Sequence, residues 1–248
     1  MYGTIYIEGR WLPGALETLR WLFENDYKVR FITNTTLRNR KMLNEFFAHH
    51  GFEIEPNNFF IPACAANTWF KTSAAGKSIL ALVHSSQVDE LEGLVSVENE
   101  NADYVLVGDM GDEWRIEMMN LALKALRNGA TLTALQKNTY WLAADGPRLD
   151  CGAFVAALEA ASGKSCDIVF GKPSELFFMM AIDDVGEKPE SIMMVGDDIE
   201  SDIIGAAKCG LPGALVKTGK SESIHRANLD DFEIIESIGD LPRLLQTY

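Results

Sequence analysis

Short apolar runs alternate with amphipathic stretches along almost the whole of this chain, and that alternation leaves few folds open. It is the pattern of an α/β protein built on a largely parallel sheet, because parallel neighbours need a long, usually helical, crossover between them. Ala15, Leu16, Leu19, Leu22 and Phe23 recur at helical spacing, and KVRFIT (28–33) reads as a strand. Leu43, Phe46 and Phe47 mark the next helix, which Gly51 is placed to end in a left-handed conformation. Further strands are expected at SILALV, DYVLVG and ATLTAL, with a helix over Ile116, Met119, Leu123 and Leu126. Helices at 152–162 and 175–185 come next, then a strong strand SIMMVG (191–196), a helix at 199–209, a strand at GALVK and a short helix near DLPRLLQ. The Ser/Ala/Gly-rich KTSAAGKS (71–78) and DIVFGKP (167–173) bracket the middle of the chain. The expected architecture is therefore a doubly wound, mostly parallel α/β core, 1–72 plus 168–248, with an α/β cap domain at 73–167 inserted between its halves.

Charge and cysteine usage narrow the function classes. With 22 Lys+Arg against 36 Asp+Glu the 248 residues carry a formal charge of −14, which argues against nucleic acid as a partner, since binding polyphosphate depends on basic side chains. No run approaches the roughly 18 apolar residues of a membrane span, and MYGTIYIEGR has neither a basic n-region nor an uninterrupted apolar stretch. Cys64, Cys151, Cys166 and Cys209 are far apart with no C-x-x-C pair, the usage of reduced thiols in a cytoplasmic protein.

Three strand ends carry candidate chemistry. In Phe31-Ile32-Thr33-Asn34-Thr35-Thr36 an apolar strand runs into hydroxyl and amide side chains that are expected to open a helix, either as plain capping or as an anion site on free N–H groups. In Gly171-Lys172-Pro173 the proline pushes the lysine backbone towards extended conformations at a helix entrance, aiming an ammonium out of the C-terminal sheet edge. In Val195-Gly196-Asp197-Asp198 a buried strand delivers paired carboxylates at its tip, with Asp202 five residues beyond Asp197. Hard oxygens on rigid backbone suit Mg²⁺, although an acidic helix N-terminus alone would also satisfy the helix dipole.

The order of these motifs, with an insert between the first and second, resembles the haloacid dehalogenase superfamily of phosphohydrolases in its branch with a large α/β cap. The resemblance runs through GTIYIEGRWLPGA, RFITNTT, GKP, VGDD and LVKTGK (215–220), and is nearest to the phospholysine/phosphohistidine phosphatase-like and nitrophenylphosphatase-like subgroup. It implies that Thr33, Asn34 and Thr35 hold phosphoryl oxygens, that Lys172 neutralises the phosphate and the attacking carboxylate, and that Asp197 ligates Mg²⁺ with Asp198 and Asp202 in support. It further implies a small phosphorylated molecule as substrate, hydrolysed through an aspartyl-phosphate. Neither nucleic acid nor membrane is expected as a partner, and a homo-oligomer stays open.

The first family motif departs from its pattern. It is a strand ending D-x-D-G-T, whose first Asp is the nucleophile and whose second is usually the acid/base. Gly3-Thr4 match its end, which places Tyr2 at the second Asp and the nucleophile one position before Met1. The backbone carbonyl of Tyr2 can still serve as the family's metal ligand there, but a phenol hydroxyl is a poor base near neutrality. The strand that carries the motif sits, in the family, between the Thr33 strand and the Asp197 strand. Two readings stay open: a longer protein with a D-M-Y-G-T motif, or a catalytically inactive phosphate-binding or regulatory homologue. As it stands the chain is expected to turn over no phosphate ester. A dinucleotide-binding protein is disfavoured because no strand leads into G-x-G-x-x-G.

Outside these motifs, His49, His50, His84 and His225 show no spacing of a metal or triad site, and Trp69, Trp114, Trp141 and the Met pairs at 118–119 and 179–180 read as packing residues. Asp145 to Gly152 reads as a turn-rich cap loop opening a helix at Ala153, with Arg148 and Asp150 as specificity candidates and Cys151 exposed but unactivated.

Overall fold

The computed structural model describes residues 1–143, 146–219 and 232–247; Asp145, Lys220 and His225 lie outside the described residues. The chain opens with β1 (Tyr6–Ile7), β2 (Arg10–Trp11), α1 (Ala15–Glu24), β3 (Phe31–Ile32), α2 (Arg40–His49), β4 (Phe59–Phe60) and α3 (Pro62–Ser73). It continues through β5 (Ser78–Leu82), β6 (Val95–Ser96), β7 (Tyr104–Val107), α4 (Ile116–Arg127), β8 (Thr131–Ala134), β9 (Tyr140–Ala143), β10 (Gly146–Leu149), α5 (Cys151–Ser162) and β11 (Ile168–Val169). After α6 (Glu175–Val185) and β12 (Met194–Gly196) come a π-helical stretch (Ile199–Ile204), α7 (Gly205–Ala207), β13 (Gly213–Val216), β14 (Glu233–Ile235) and α8 (Leu241–Leu245). Contacts group the residues into two compact units, one of Met1–Ile32, Asn44–Phe59 and Lys172–Tyr248, the other of Thr33–Leu43 and Phe60–Gly171.

The second unit is built on one five-stranded sheet, β11-β8-β7-β5-β6, in which every pair is parallel. Val105, Leu106 and Val107 are all fully buried, so DYVLVG reads as a continuous apolar run and not as an alternation: helices cover both faces of a parallel strand. Leu80, Leu82, Leu126, Leu132 and Val155 fill one layer of this core. Trp69 packs edge-on against Tyr104, and Trp114 stacks on Phe154 with ring centroids 3.7 Å apart.

Four expectations are corrected in this unit. Residues 146–149 form strand β10, paired antiparallel with β9, where a loop was expected. Trp141 is 40% exposed, with the Arg148 guanidinium 5.9 Å from its ring, because the hairpin lifts it away from the core. Helix α5 opens at Cys151, two residues earlier than expected, with the Asp150 carboxylate accepting the Cys151 N–H as its N-cap. Cys151 is fully buried, and burial pushes its thiol pKa up.

The first unit is pieced together from short ladders. The β1–β2 hairpin turns at Glu8 and Gly9, both with positive φ (49° and 75°), the backbone that a tight two-residue hairpin requires. An aromatic cluster forms behind it: the Phe47 ring lies 5.1 Å from both Phe31 and Phe59, and 5.3 Å from Trp11. β3 pairs with β4, while β12, β13 and β14 form a separate parallel sheet. Ile32 of β3 and Met194 of β12 share a packed cluster with Phe178, yet no ladder among the described residues joins the two strands. Both are also shorter than expected. Residues ahead of β3 are drawn off to ion pairs, Lys28 with Glu187 and Arg30 with Asp184, and Pro189–Ser191 before β12 is a 3₁₀ turn. The expected helix 199–209 is π-helical over its first six residues, and Met179 is half-exposed, not packed inside. No helix among the described residues is long and apolar enough to cross a membrane.

Candidate active site

Strand β12 delivers Asp197 at its C-terminal tip, where the side chain is 6% exposed. One carboxylate oxygen, Oδ1, accepts the Thr4 hydroxyl at 3.0 Å. The other lies against two glycines: a Cβ built on Gly3 would stand 2.2 Å from Asp197 Oδ2, and one on Gly219 would stand 2.0 Å away. These residues meet because Thr218, just after β13, donates its hydroxyl to the Gly3 carbonyl at 2.6 Å. The two segments thus leave a close-fitting space for the Asp197 carboxylate, which any side chain at Gly3 or Gly219 would fill. The chemistry of this carboxylate matches Mg²⁺, which takes one or two carboxylates and fills its remaining positions with water and phosphate oxygens. No three His, Cys, Asp or Glu side chains among the described residues gather into a ready metal cage.

Asp202 and Lys172 form the second part of the site. Lys172 Nζ donates to Asp202 Oδ1 at 2.6 Å, and both side chains are under a tenth exposed. Gly196 makes room for this pair, since a Cβ there would lie 2.3 Å from Asp202 Oδ2. Burial alone would raise the Asp202 pKa, but the neighbouring Lys172 ammonium outweighs it and holds the carboxyl below the ordinary carboxylate range. Asp198 Oδ1 accepts the Ser201 N–H at 3.0 Å and caps the π-helical stretch, while the Asp198 N–H donates to Asp202 Oδ2 at 3.4 Å. The Tyr2 ring is 58% exposed and stands edge-on to Tyr6, and its backbone adjoins Gly3.

Thr33, Asn34 and Thr35 belong to the second unit. They are half-buried, and the Thr33 hydroxyl accepts the Thr35 N–H at 3.4 Å. They do not open the helix. α2 starts at Arg40, and Asn39 caps it by accepting the Met42 N–H at 2.8 Å, so the hydroxyl cluster stands in a loop ahead of it. Arg148 and Asp150 lie on β10 and at the head of α5, where Asp150 accepts from both the Gln136 amide and the Cys151 N–H. Sequence reasoning gave no part to the Thr4 hydroxyl, Thr218 or Gly219. Gly3-Thr4 and LVKTGK were visible as motifs, but the bonds joining them span about two hundred residues.

A buried lysine–carboxylate pair stands beside Asp197 at strand ends, the edge of an α/β sheet where ligands bind. Comparison with known proteins shows the family. The profile described as haloacid dehalogenase-like hydrolase matches residues 1–94, and the HAD-hydrolase-like profile matches residues 169–241. Haloacid dehalogenase-like hydrolase domain-containing protein 2 of Mus musculus is 35% identical over 218 residues, covering 88% of this chain and 82% of that protein. The phospholysine phosphohistidine inorganic pyrophosphate phosphatase of Xenopus laevis is 36% identical over 217 residues, covering 86% and 77%. The solved p-nitrophenyl phosphatase from Archaeoglobus fulgidus superposes with a TM-score of 0.90 at 26% identity, covering 98% of this chain and 96% of that one. The chain belongs to the haloacid dehalogenase-like hydrolase family.

Proposed function

We propose that this protein is a Mg²⁺-dependent phosphohydrolase of small phosphorylated molecules that works through an aspartyl-phosphate. The Lys172–Asp202 pair carries the reading. Desolvating two charges is costly and a buried pair returns little net stability, so a lysine held this way beside Asp197 is better explained by the anion it meets. Asp197 and the Tyr2 carbonyl would hold the metal, and Asp198 contributes by fixing the turn beneath it. When bound, Mg²⁺ supplies positive charge to phosphate oxygens. The chain's own residues do the positioning, which is most of what phosphoryl transfer asks of a protein. Asp202 orients the Lys172 ammonium, Lys172 neutralises phosphate charge, and Thr33, Asn34 and Thr35 donate to its oxygens. In the D-x-D-G-T pattern that Gly3-Thr4 would end, the nucleophilic carboxylate would align one position ahead of Met1. Tyr2 at the acid/base position makes protonation of the leaving group weak, which favours substrates whose leaving group is already stable, such as aryl phosphates. Four scattered cysteines without a C-x-x-C pair support a cytoplasmic location.

The test compares the 248-residue chain with one extended by a short apolar strand ending in Asp before Met1. Hydrolysis of p-nitrophenyl phosphate is expected from the extended chain alone, and only with Mg²⁺. In that chain Asp197→Asn and Lys172→Ala should each lower kcat/KM by roughly 10²–10³-fold, the usual loss for one preorganised electrostatic group. Near-unchanged values would remove that residue from the site. An extended chain that folds and binds phosphate but turns nothing over would favour the second reading, an inert phosphate-binding homologue, for which Tyr2 at the acid/base position is the supporting observation.

A further inference from the structure

Beyond the C-terminal ends of β5 and β7, the second unit's sheet carries a segment of its own chain. From β5 the chain goes to β6 on one side and returns to β7 on the other, so β5 and β7 flank a topological switch point. In open α/β sheets the crevice beyond the C-terminal ends of such strands is where ligands bind. Here the residues following β5 and β7 grip the segment Thr36–Asn39. The Asp109 N–H donates to the Thr36 hydroxyl oxygen at 3.2 Å, and the Ser86 hydroxyl donates to the Leu37 carbonyl at 3.0 Å. Asn39 Nδ2 donates to the Ser86 carbonyl at 3.0 Å.

The grip is stiff on both sides. Asp109 is 4% exposed, and its Oδ1 accepts the Gly111 N–H at 2.9 Å and the Trp114 indole N–H at 3.2 Å. Thr36 is equally buried, whereas Thr33, Asn34 and Thr35 just before it are only half-buried. A buried threonine satisfying one N–H would need no company. Three bonds from two strand ends, converging on the residues next to Thr33–Thr35, do more: they fix where that run of side chains stands.

We infer that Thr36, held by Asp109, is a positioning residue for phosphate binding, setting the Thr33–Thr35 segment on the switch point of the second unit's sheet. The inference rests on the reading of Thr33–Thr35 as phosphate contacts. Thr36 does not touch phosphate itself; it acts through the backbone of its neighbours.

The test titrates inorganic phosphate at fixed Mg²⁺ into the full chain and follows amide exchange over residues 33–43 in the same samples. Thr36→Val removes the acceptor at constant shape and should weaken phosphate binding roughly ten-fold, the worth of one buried hydrogen bond, while Thr36→Ser should restore it to within about two-fold. Exchange at residues 33–36 should quicken in Thr36→Val, with β5 and β7 still protected. A valine variant with wild-type phosphate affinity and wild-type exchange would overturn the inference while leaving the phosphate reading intact. If the wild-type chain binds no phosphate, the reading of Thr33–Thr35 fails and this role fails with it. Should Thr36→Val not fold, Ser86→Ala loosens the same segment from the other strand end, and unchanged phosphate affinity there would equally overturn the role.

Discussion

In the second unit five parallel strands lie in one continuous ladder, while in the first the strands fall into separate pieces, β3 with β4 and β12 with β13 and β14. The buried charges divide differently again. Glu90, Asp109 and Asp150 in the second unit each tie down backbone: Glu90 receives the Arg40 N–H, Asp109 that of Gly111 and Asp150 that of Cys151. In the first unit Lys172 and Asp202 face each other, and Asp197 is held by a threonine and two glycines. Burial of charge alone therefore marks no chemistry. A carboxylate committed to backbone N–H groups is architecture, whereas one spent orienting a buried cation is a candidate for work on a ligand.

The largest expected effect separates these two uses. Asp202→Ala leaves the Lys172 ammonium buried without the carboxylate that faces it and should cost about 3–5 kcal/mol in urea unfolding. Leu106→Ala in the continuous sheet is expected to cost about 2–5 kcal/mol through the cavity it leaves. If the leucine change proved much the costlier, the charged pair would be incidental to the fold of its unit. The pair should also show in acid. The Asp202 pKa is depressed in the folded protein, so its contribution is complete above the unfolded carboxylate value of about 3.9 and is lost as the pH falls through the lower folded value. Urea midpoints measured between pH 5 and 2 should therefore fall less steeply for Asp202→Asn than for the parent.

Amide exchange sharpens the comparison of the ladders. β3 and β12, each paired along one edge among the described residues, should exchange at least about ten-fold faster than β5, β7 and β8, which lie inside a sheet. Equal protection would mean that packing around Phe178 compensates for the missing ladder between β3 and β12. The smallest effect concerns the thiols. Burial pushes Cys64 up to about 11 and Cys166 up to about 12, so neither should react appreciably with a disulfide reagent at pH 8 until the protein unfolds. Rapid labelling of Cys166 in the native state would show that the second unit opens easily despite its continuous sheet.

Helices whose apolar residues recur with the helical period, α1, α2 and α4 among them, were legible in the sequence. So was β7, whose three buried residues make one apolar run. Helix α3 was not, because Pro62-Ala-Cys-Ala-Ala is apolar on all sides and carries no periodic contrast. The β9–β10 hairpin was hidden by Gly146-Pro147, which reads as a turn, although its pairing with residues 140–143 makes it a strand. In the site, Lys172, Asp197 and Asp202 stood out as residue types at strand ends. Their division was not legible: that Lys172 meets Asp202, 30 residues on, and that Asp197 meets Thr4, 193 residues back, depends on the folded chain. Thr36 was passed over for the same reason, since its partner Asp109 is 73 residues away.

The chain crosses between its compact units four times, after Ile32, Leu43, Phe59 and Gly171. The first and last crossings fall against residues proposed to meet phosphate, Thr33 and Lys172. A recombination event that exchanged residues 33–171 between relatives would send the threonine run with one parent and leave the lysine with the other. Such a chimera would draw the proposed threonine contacts and the proposed lysine from two lineages.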